Sequence, residues 1–392
     1  MSFLRAACAV MVGQSGLRRM LAVVAGIIIL LLAGFSLSCG NSSTSTGLGH
    51  SAYVTLPKTG SVALLHIDGA TGAIKLGAET PQDVGTTPTG LALLPSKKFL
   101  YAVNSFGDTI SIFAVNLDGT LSLTGTAILE GGSGPDAAVI DPSGQYLLIT
   151  NNFTNDISVF SIDSQSGVLS QVGSPVLANS DPSEIVFTHS GKFVYVTNPG
   201  IGMVSGFSFS NGVLTQVPNS PVFSGAGAFG LAVDGSDSFL YVANPSAINP
   251  PPFSTTIGNI SGFNIDPGTG ALTTIPGSPF TATAGTYPTV LAVDPTGRFV
   301  YATTTGSSNS IWCFTITATN GQLIAAANSP FSLNAGALFA LFDPSGNYLY
   351  IGTQAGNGVS VYTYNPSTGE PTAIKGSPFS TGTAPGKMVL SE

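Results

Sequence analysis

Positive charge is scarce in this chain. Only 11 Lys and Arg stand against 19 Asp and Glu in 392 residues, for a net charge of −8 and a pI near 4.7. Nucleic-acid binding needs clustered cations against phosphate, so that class is excluded. Charge of either sign is rare, at 8% of residues beside 43% hydrophobic ones, whereas a disordered chain shows the reverse balance. There are three cysteines, Cys8, Cys39 and Cys313, and no paired-Cys motif, no His-Glu-x-x-His and no Gly-x-Ser-x-Gly elbow. What the chain has in abundance is 49 Gly and 26 Pro. Both break or bend regular structure, which excludes long helices over most of the length and favours many short strands joined by tight turns.

The first forty residues read as an address. Arg18 and Arg19 precede an apolar run from Met20 to Leu37 that ends in Ser36-Leu37-Ser38-Cys39-Gly40, the layout of a secretory signal peptide. The segment resembles a bacterial lipoprotein signal, which implies cleavage before Cys39 and lipid attachment there, so the chain would meet a membrane through that lipid. An uncleaved anchor is the alternative, since 18 apolar residues just reach spanning length; plain secretion is a third. All three place the rest outside the cytoplasm. Cleavage removes 38 residues and three arginines, leaving 354 residues with a net charge of −11. Cys313 is then the sole side-chain thiol and no internal disulfide can form. The expected domains are a signal peptide over 1–38, a lipidated Cys and flexible tether over 39–51, where Asn41 to Gly49 is almost all Asn, Ser, Thr and Gly, and one folded domain over 52–392.

That domain repeats itself. An aromatic-rich strand ending in Asn or Thr appears as Phe99-Leu100-Tyr101-Ala102-Val103-Asn104, Phe193-Val194-Tyr195-Val196-Thr197-Asn198, Phe239-Leu240-Tyr241-Val242-Ala243-Asn244 and further relatives. Matching positions are 53, 101, 148, 195, 241, 301 and 350, at intervals of 48, 47, 47, 46, 60 and 49. Each unit carries four strand signals: an apolar inner strand, an Asp-Pro-x-Gly turn, the aromatic second strand, an alternating third strand such as Ile110-Ser111-Ile112-Phe113, and an outer strand often ending in Ser-Pro-Phe. This period and strand count predict an all-β, seven-bladed β-propeller of four-stranded antiparallel blades. The first copy starts at its second strand and the chain ends in an orphan inner strand, Ala384 to Leu390, so the C-terminal strand is expected to complete the first blade and remove the open edge.

Tyr195-Val196-Thr197-Asn198 and its relatives resemble the YVTN repeat of bacterial extracytoplasmic propellers. The Asp-Pro-Ser-Gly turns and Ser-Pro-Phe strands resemble the seven-bladed lactonase family, which includes 6-phosphogluconolactonase-like enzymes. The resemblance spans 52–392. It implies a ligand face made by the loops leading into the inner strands and the loops between second and third strands. Lactonase-like members commonly carry His after the Pro of the former; here the equivalents are Thr89, Asp136, Ser183, Phe229, Thr289, Leu338 and Gly386. His50 falls in the tether, His66 on a third strand and His189 in a turn on the opposite face, and structural roles are expected for all three.

Near the central mouth this leaves Asp136 and Glu184 on neighbouring blades, and Lys387 two blades from the first and three from the second. A carboxylate there can activate water while Lys387 stabilises developing negative charge. Around them Asn104, Asn152, Asn198, Asn244, Phe229, Tyr287 and Phe339 are expected to rim the ligand face. No cofactor is expected, with Ca²⁺ as the alternative, held by the two carboxylates and the oxygens of Asn104, Asn151, Asn152, Asn198 or Asn244; the bland reading is that the Asn residues finish strands. Gly225 to Gly230 matches dinucleotide-loop spacing but lacks the helix that motif needs. Trp312 and Cys313 are assigned to packing between blades. The Pro-rich stretch from Pro245 to Asn259 lies on the ligand face, as a partner ridge, a lid or a tolerated insertion. The leading expectation is a monomeric binding or scaffolding module for a glycan or protein. The alternative is a lactonase, a carboxylic ester hydrolase acting on a sugar lactone.

Overall fold

The computed structural model describes residues 50–79, 85–245, 258–281, 286–306 and 309–391. These fall in the second of two units, Leu48–Glu392. The signal segment and Cys39 lie outside the described residues.

The described residues form strands and turns without a helix. Seven antiparallel sheets follow one another, each running inner, second, third, outer strand from the axis. The chain is thus a seven-bladed β-propeller. Blade 1 takes its second, third and outer strands from Ser51–Leu56, Ser61–Ile67 and Ile74–Glu79, and its inner strand from Met388–Ser391, which pairs Leu390 with Ala52 and Val389 with Tyr53. The ends therefore close the ring as the sequence predicts. Blades 2 to 7 have inner strands Pro88–Leu93, Pro135–Ile140, Ile185–Phe187, Leu231–Val233, Thr286–Val293 and Ala337–Phe342.

The blades are four-stranded as expected, with one refinement in the outer strand. In blades 3 to 7 it is broken into two pieces that both pair the third strand, as Leu169–Gln171 and Val176–Leu177 pair Asp156–Ile162. In blades 4 to 7 the break falls at the Ser-Pro signature. There the Oγ of Ser220, Ser278, Ser329 and Ser377 accepts the N–H of Gly206, Gly262, Cys313 and Val361 at 2.8–3.0 Å, so a serine hydroxyl fills the ladder position that the break leaves open.

The turns between inner and second strands close as their sequence requires. Asp141 accepts the N–H of Gln145 and Tyr146, Asp294 those of Arg298 and Phe299, and Asp234 those of Ser238 and Phe239, at 2.6–2.8 Å. Gly144, Gly297 and Gly346 end these turns at φ between 67° and 73°, which favours glycine.

Blades join through apolar faces. Seven hydrophobic clusters lie one at each interface between neighbours, with Ala52, Val54, Phe339 and Tyr350 sealing blade 1 to blade 7 across the closure. The repeated tyrosine adds a polar fastener. The hydroxyls of Tyr53, Tyr101, Tyr195, Tyr241 and Tyr301 donate to the carbonyls of Gly119, Gly167, Gly270, Gly321 and Gly369 in the next blade at 2.6–3.0 Å. Blade 3 has Leu148 there, fully buried. Trp312 stacks on Phe314, and Cys313 is fully buried with its thiol pushed up to about 12 by burial, so both serve packing.

Candidate active site

Each inner strand begins with a β-bulge, in which two residues face one on the second strand. Register skips Thr89 in blade 2, Asp136 and Ala137 in blade 3, Thr289 in blade 6 and Leu338 in blade 7. In blade 4, Ser183 N–H donates to Thr197 O while Thr197 N–H donates to Glu184 O; Phe229 and Gly230 share Ala243 in blade 5, and Gly386 and Lys387 share Thr55 in blade 1, in the same way. The bulge re-aims its side chains at the mouth of the axis. Asp136 is its first residue in blade 3, and Glu184 and Lys387 are its second in blades 4 and 1.

The threonine of the repeat clamps these bulges. Thr55, Thr150 and Thr197 hydroxyls accept the N–H of Lys387, Ala137 and Glu184 at 2.8–3.1 Å. Thr150 also donates to Ser183 O at 2.8 Å and Thr197 to Phe229 O at 2.9 Å, tying each bulge to the next blade. Blades 2, 5 and 7 have Val103, Ala243 and Gly352 at this register. Blade 6 has Thr303 there, its hydroxyl without a hydrogen-bond partner among the described residues, so the threonine clamp itself forms only in the three blades that carry the charged residues.

The structure brings the charges together. Lys387 Nζ reaches from blade 1 to Glu184 Oε1 of blade 4, across the mouth. Both side chains stay partly exposed, 32% and 25%. Asp136 Oδ2 accepts a hydrogen bond of 2.8 Å from Ser183 Oγ. Burial raises the Asp136 carboxyl above the ordinary aspartate range; the Ser183 bond opposes the rise, Glu184 adds to it, Lys387 opposes it and Asp181 adds to it. Ser183, 5% exposed, was legible only as one of the residues replacing His; its contact across two blades depends on the bulge.

The expected rim residues scatter. Asn104, Asn198 and Asn244 are fully buried beneath it. Their amides bond third-strand hydroxyls: Asn104 to Ser111 at 3.0 Å, Asn198 with Ser205 at 2.8 Å and Asn244 to Ser261 at 3.1 Å. Asn151 makes the same bond to Ser158. These side chains finish strands, and among the described residues no group of three or more His, Cys, Asp or Glu is placed to hold a metal. Asn152 is on the ligand face and donates to Asp181 Oδ1. Phe229 is exposed and Tyr287 half-buried, whereas Phe339, the second residue of its bulge, turns into the cluster between blades 7 and 1 at 4% exposure, and its neighbour Leu338 packs half-buried against the same cluster. His50 O accepts from Ile67 N–H beside the first strand, His66 is exposed on a third strand, and the His189 ring bonds Asp237 at 2.9 Å on the opposite face. Asn244 pairs with Asn259 at the base of the Pro-rich loop, whose residues 246–257 lie outside the described residues.

A cavity of about 600 Å³ opens at the other end of the axis, lined by Val186, Leu291, Val293 and Leu341 with His189, Asp294 and Asp343 at its edge. The turns and Asp237 occupy those polar groups, so the convergent chemistry sits at the bulge end.

Fold and site together define a ring-closed β-propeller with charged groups gathered at one axial mouth. The chain matches the family described as Lactonase, 7-bladed beta-propeller, over residues 48–181 and 256–384, and belongs to that family. Among solved structures it is similar to a candidate 6-phosphogluconolactonase of Bacteroides uniformis, at 19% identity and TM-score 0.74 over 87% of this chain and 99% of the other. It is also similar to the periplasmic gluconolactonase of Pseudomonas aeruginosa, at 18% identity and TM-score 0.70 over 88% and 99%. At these identities the likeness shows the fold. No protein with a curated description matches the chain by sequence.

Proposed function

We propose that the axial mouth hydrolyses the ester bond of a neutral sugar lactone. The observation that carries this reading is that Asp136 lies within electrostatic reach of the Glu184–Lys387 pair: a base candidate and a cation with its carboxylate partner, drawn from three blades. Asp136 takes a proton from water, and the resulting hydroxide attacks the lactone carbonyl carbon. The ammonium of Lys387 stabilises the tetrahedral oxyanion, and as the ring C–O bond breaks, Asp136 returns the proton to the departing oxygen. Family membership supports the reaction class.

Charge on this face supports the substrate class. Across blades 2 to 4 it carries Asp108, Glu130, Asp136, Asp181 and Glu184 with no Lys or Arg, and Lys387 is already engaged by Glu184. A phosphorylated lactone meets net repulsion there, while a neutral one does not. Hydrolysis converts the neutral substrate to an aldonate, which the same carboxylates then repel toward solvent. The proposal retains export by the N-terminal signal and a lipid tether at Cys39.

The test is proton release by purified protein from glucono-lactone and from its 6-phosphate. The reading expects turnover of the neutral lactone well above that of the phosphate; no turnover of either refutes it and leaves a binding module. That second reading has its own support, since an ion pair that neutralises the lone mouth cation suits recognition without turnover.

A further inference from the structure

The repeat permits a comparison of side chains at the same register in different blades. Where the last residue of the outer strand pairs with the first of the third strand, on the ligand-face edge, blades 2, 3 and 4 carry Ile128, Leu177 and Phe223. Blades 5, 6 and 7 carry Thr281, Ser332 and Ser380 at that position. All six are exposed, so the fold does not require an apolar side chain here. The hairpin tips beside them repeat the split. Blades 2 and 3 present Phe106 and Phe153 at the second tip position, where blades 1 and 7 have Lys58 and Ala355; blade 4 has Gly200 there and the apolar Ile201 next to it. Exposure of these six apolar side chains runs from 39% for Ile201 to 77% for Leu177. Single exposed hydrophobics need no explanation; a strand-end apolar residue at the same register in three consecutive blades, each with an apolar side chain on the tip beside it, makes an arc that does.

We propose that this arc docks a partner protein through a segment that is both apolar and cationic. Charge complementarity selects that occupant. On this face the same three blades hold the exposed Glu130 and the half-buried Asp108 and Asp181, and no Lys or Arg. Anionic headgroups of a membrane surface would be repelled. A second copy docking by the same patch would set these carboxylates against each other. A partner with apolar anchors between Lys or Arg residues fits both features, its anchors entering between tips and strand ends and its cations meeting the carboxylates. The arc lies at the periphery of the ring, so it operates whether or not the axial mouth turns over a lactone.

The test uses the full chain and a fluorescent amphipathic peptide of Leu and Lys, beside the same peptide with Glu for Lys. The expected result is saturable binding of the Leu-Lys peptide only. Giving blades 2 to 4 the residues of blades 5 to 7, as Ile128→Thr, Leu177→Ser and Phe223→Ser together, weakens it at least tenfold with circular dichroism unchanged. Should the triple variant lose its fold, Leu177→Ser alone carries the test, with a several-fold loss. Raising salt weakens binding by acting on the carboxylates. Absence of Leu-Lys binding, equal binding of the Leu-Glu peptide or indifference to the substitutions overturns the proposal. So does cosedimentation with phosphatidylcholine or phosphatidylglycerol vesicles that the triple variant abolishes, or a dimer in solution that it dissociates.

Discussion

Carboxylates at the two ends of this propeller behave in opposite ways. On the turn face Asp141, Asp234, Asp294 and Asp343 recur from blade to blade, and each accepts backbone N–H groups of its own turn. The hairpin residues Asp68, Asp163 and Asp266 on that face are exposed, and hydrogen bonds from the side chains and backbone of Thr71, Ser166 and Thr269 hold their carboxyls below the ordinary range. At the other end, Asp136 is the lone carboxylate in the first bulge position, accepts from a side-chain hydroxyl, and is pushed upward by burial. A carboxylate that recurs in a repeat protein serves the backbone. One that occurs once in a recurring frame calls for a different account, and the proposed chemistry supplies it.

The largest effect expected from breaking this contrast is at Asp136. Asp136→Asn keeps an acceptor for Ser183 and removes the base, so lactone turnover falls by about 10²- to 10⁴-fold in initial-rate assays. In the native protein, turnover declines as pH falls through the raised Asp136 pKa, at a higher pH than an ordinary aspartate would give. Stability moves the other way. The folded state holds this proton more tightly than the unfolded chain, so the stability it contributes is present below the ordinary aspartate pKa and lost as pH rises through the raised value. Asp136→Asn therefore melts higher than the native protein at neutral pH and not at strongly acid pH; calorimetry at both pH values checks this.

Asp294→Ala tests the turn face. It orphans the N–H groups of Arg298 and Phe299, and urea unfolding is expected to show a loss of about 2 kcal/mol, with the lactone rate per folded molecule unchanged. A rate loss beyond the folded fraction would show that the two faces are not independent. The smallest effect concerns Lys97, which ends its turn at φ 60°, where other blades place Gly144, Gly297 and Gly346. Lys97→Gly relieves that backbone and stabilises by about 0.5 kcal/mol in the same unfolding assay, the gain being reduced by the freedom glycine adds to the unfolded chain.

Blade count and closure were legible because most blades repeat the same local requirements: an Asp to close a turn, a Tyr to fasten the next blade, a Ser-Pro where the outer strand breaks. Asp136, Glu184 and Lys387 were legible as the charged residues in loops that lead into inner strands. The burial of Asn104, Asn198 and Asn244, and the inward turn of Phe339, were not. Both follow from side-chain direction at strand ends and bulges, where a one-residue offset moves a side chain between the mouth and the blade interface.

The sequence by itself determined the number of blades, their order and the pairing of first with last, since these depend on period and local patterning. Tertiary structure alone decided that Lys387 spans the mouth to Glu184, that Ser183 reaches Asp136, and that the apolar strand ends and tips of blades 2 to 4 form one arc. Each of these joins residues between about 20 and 200 positions apart in the chain. Closure of the ring sets their distances, and local sequence carries no record of it.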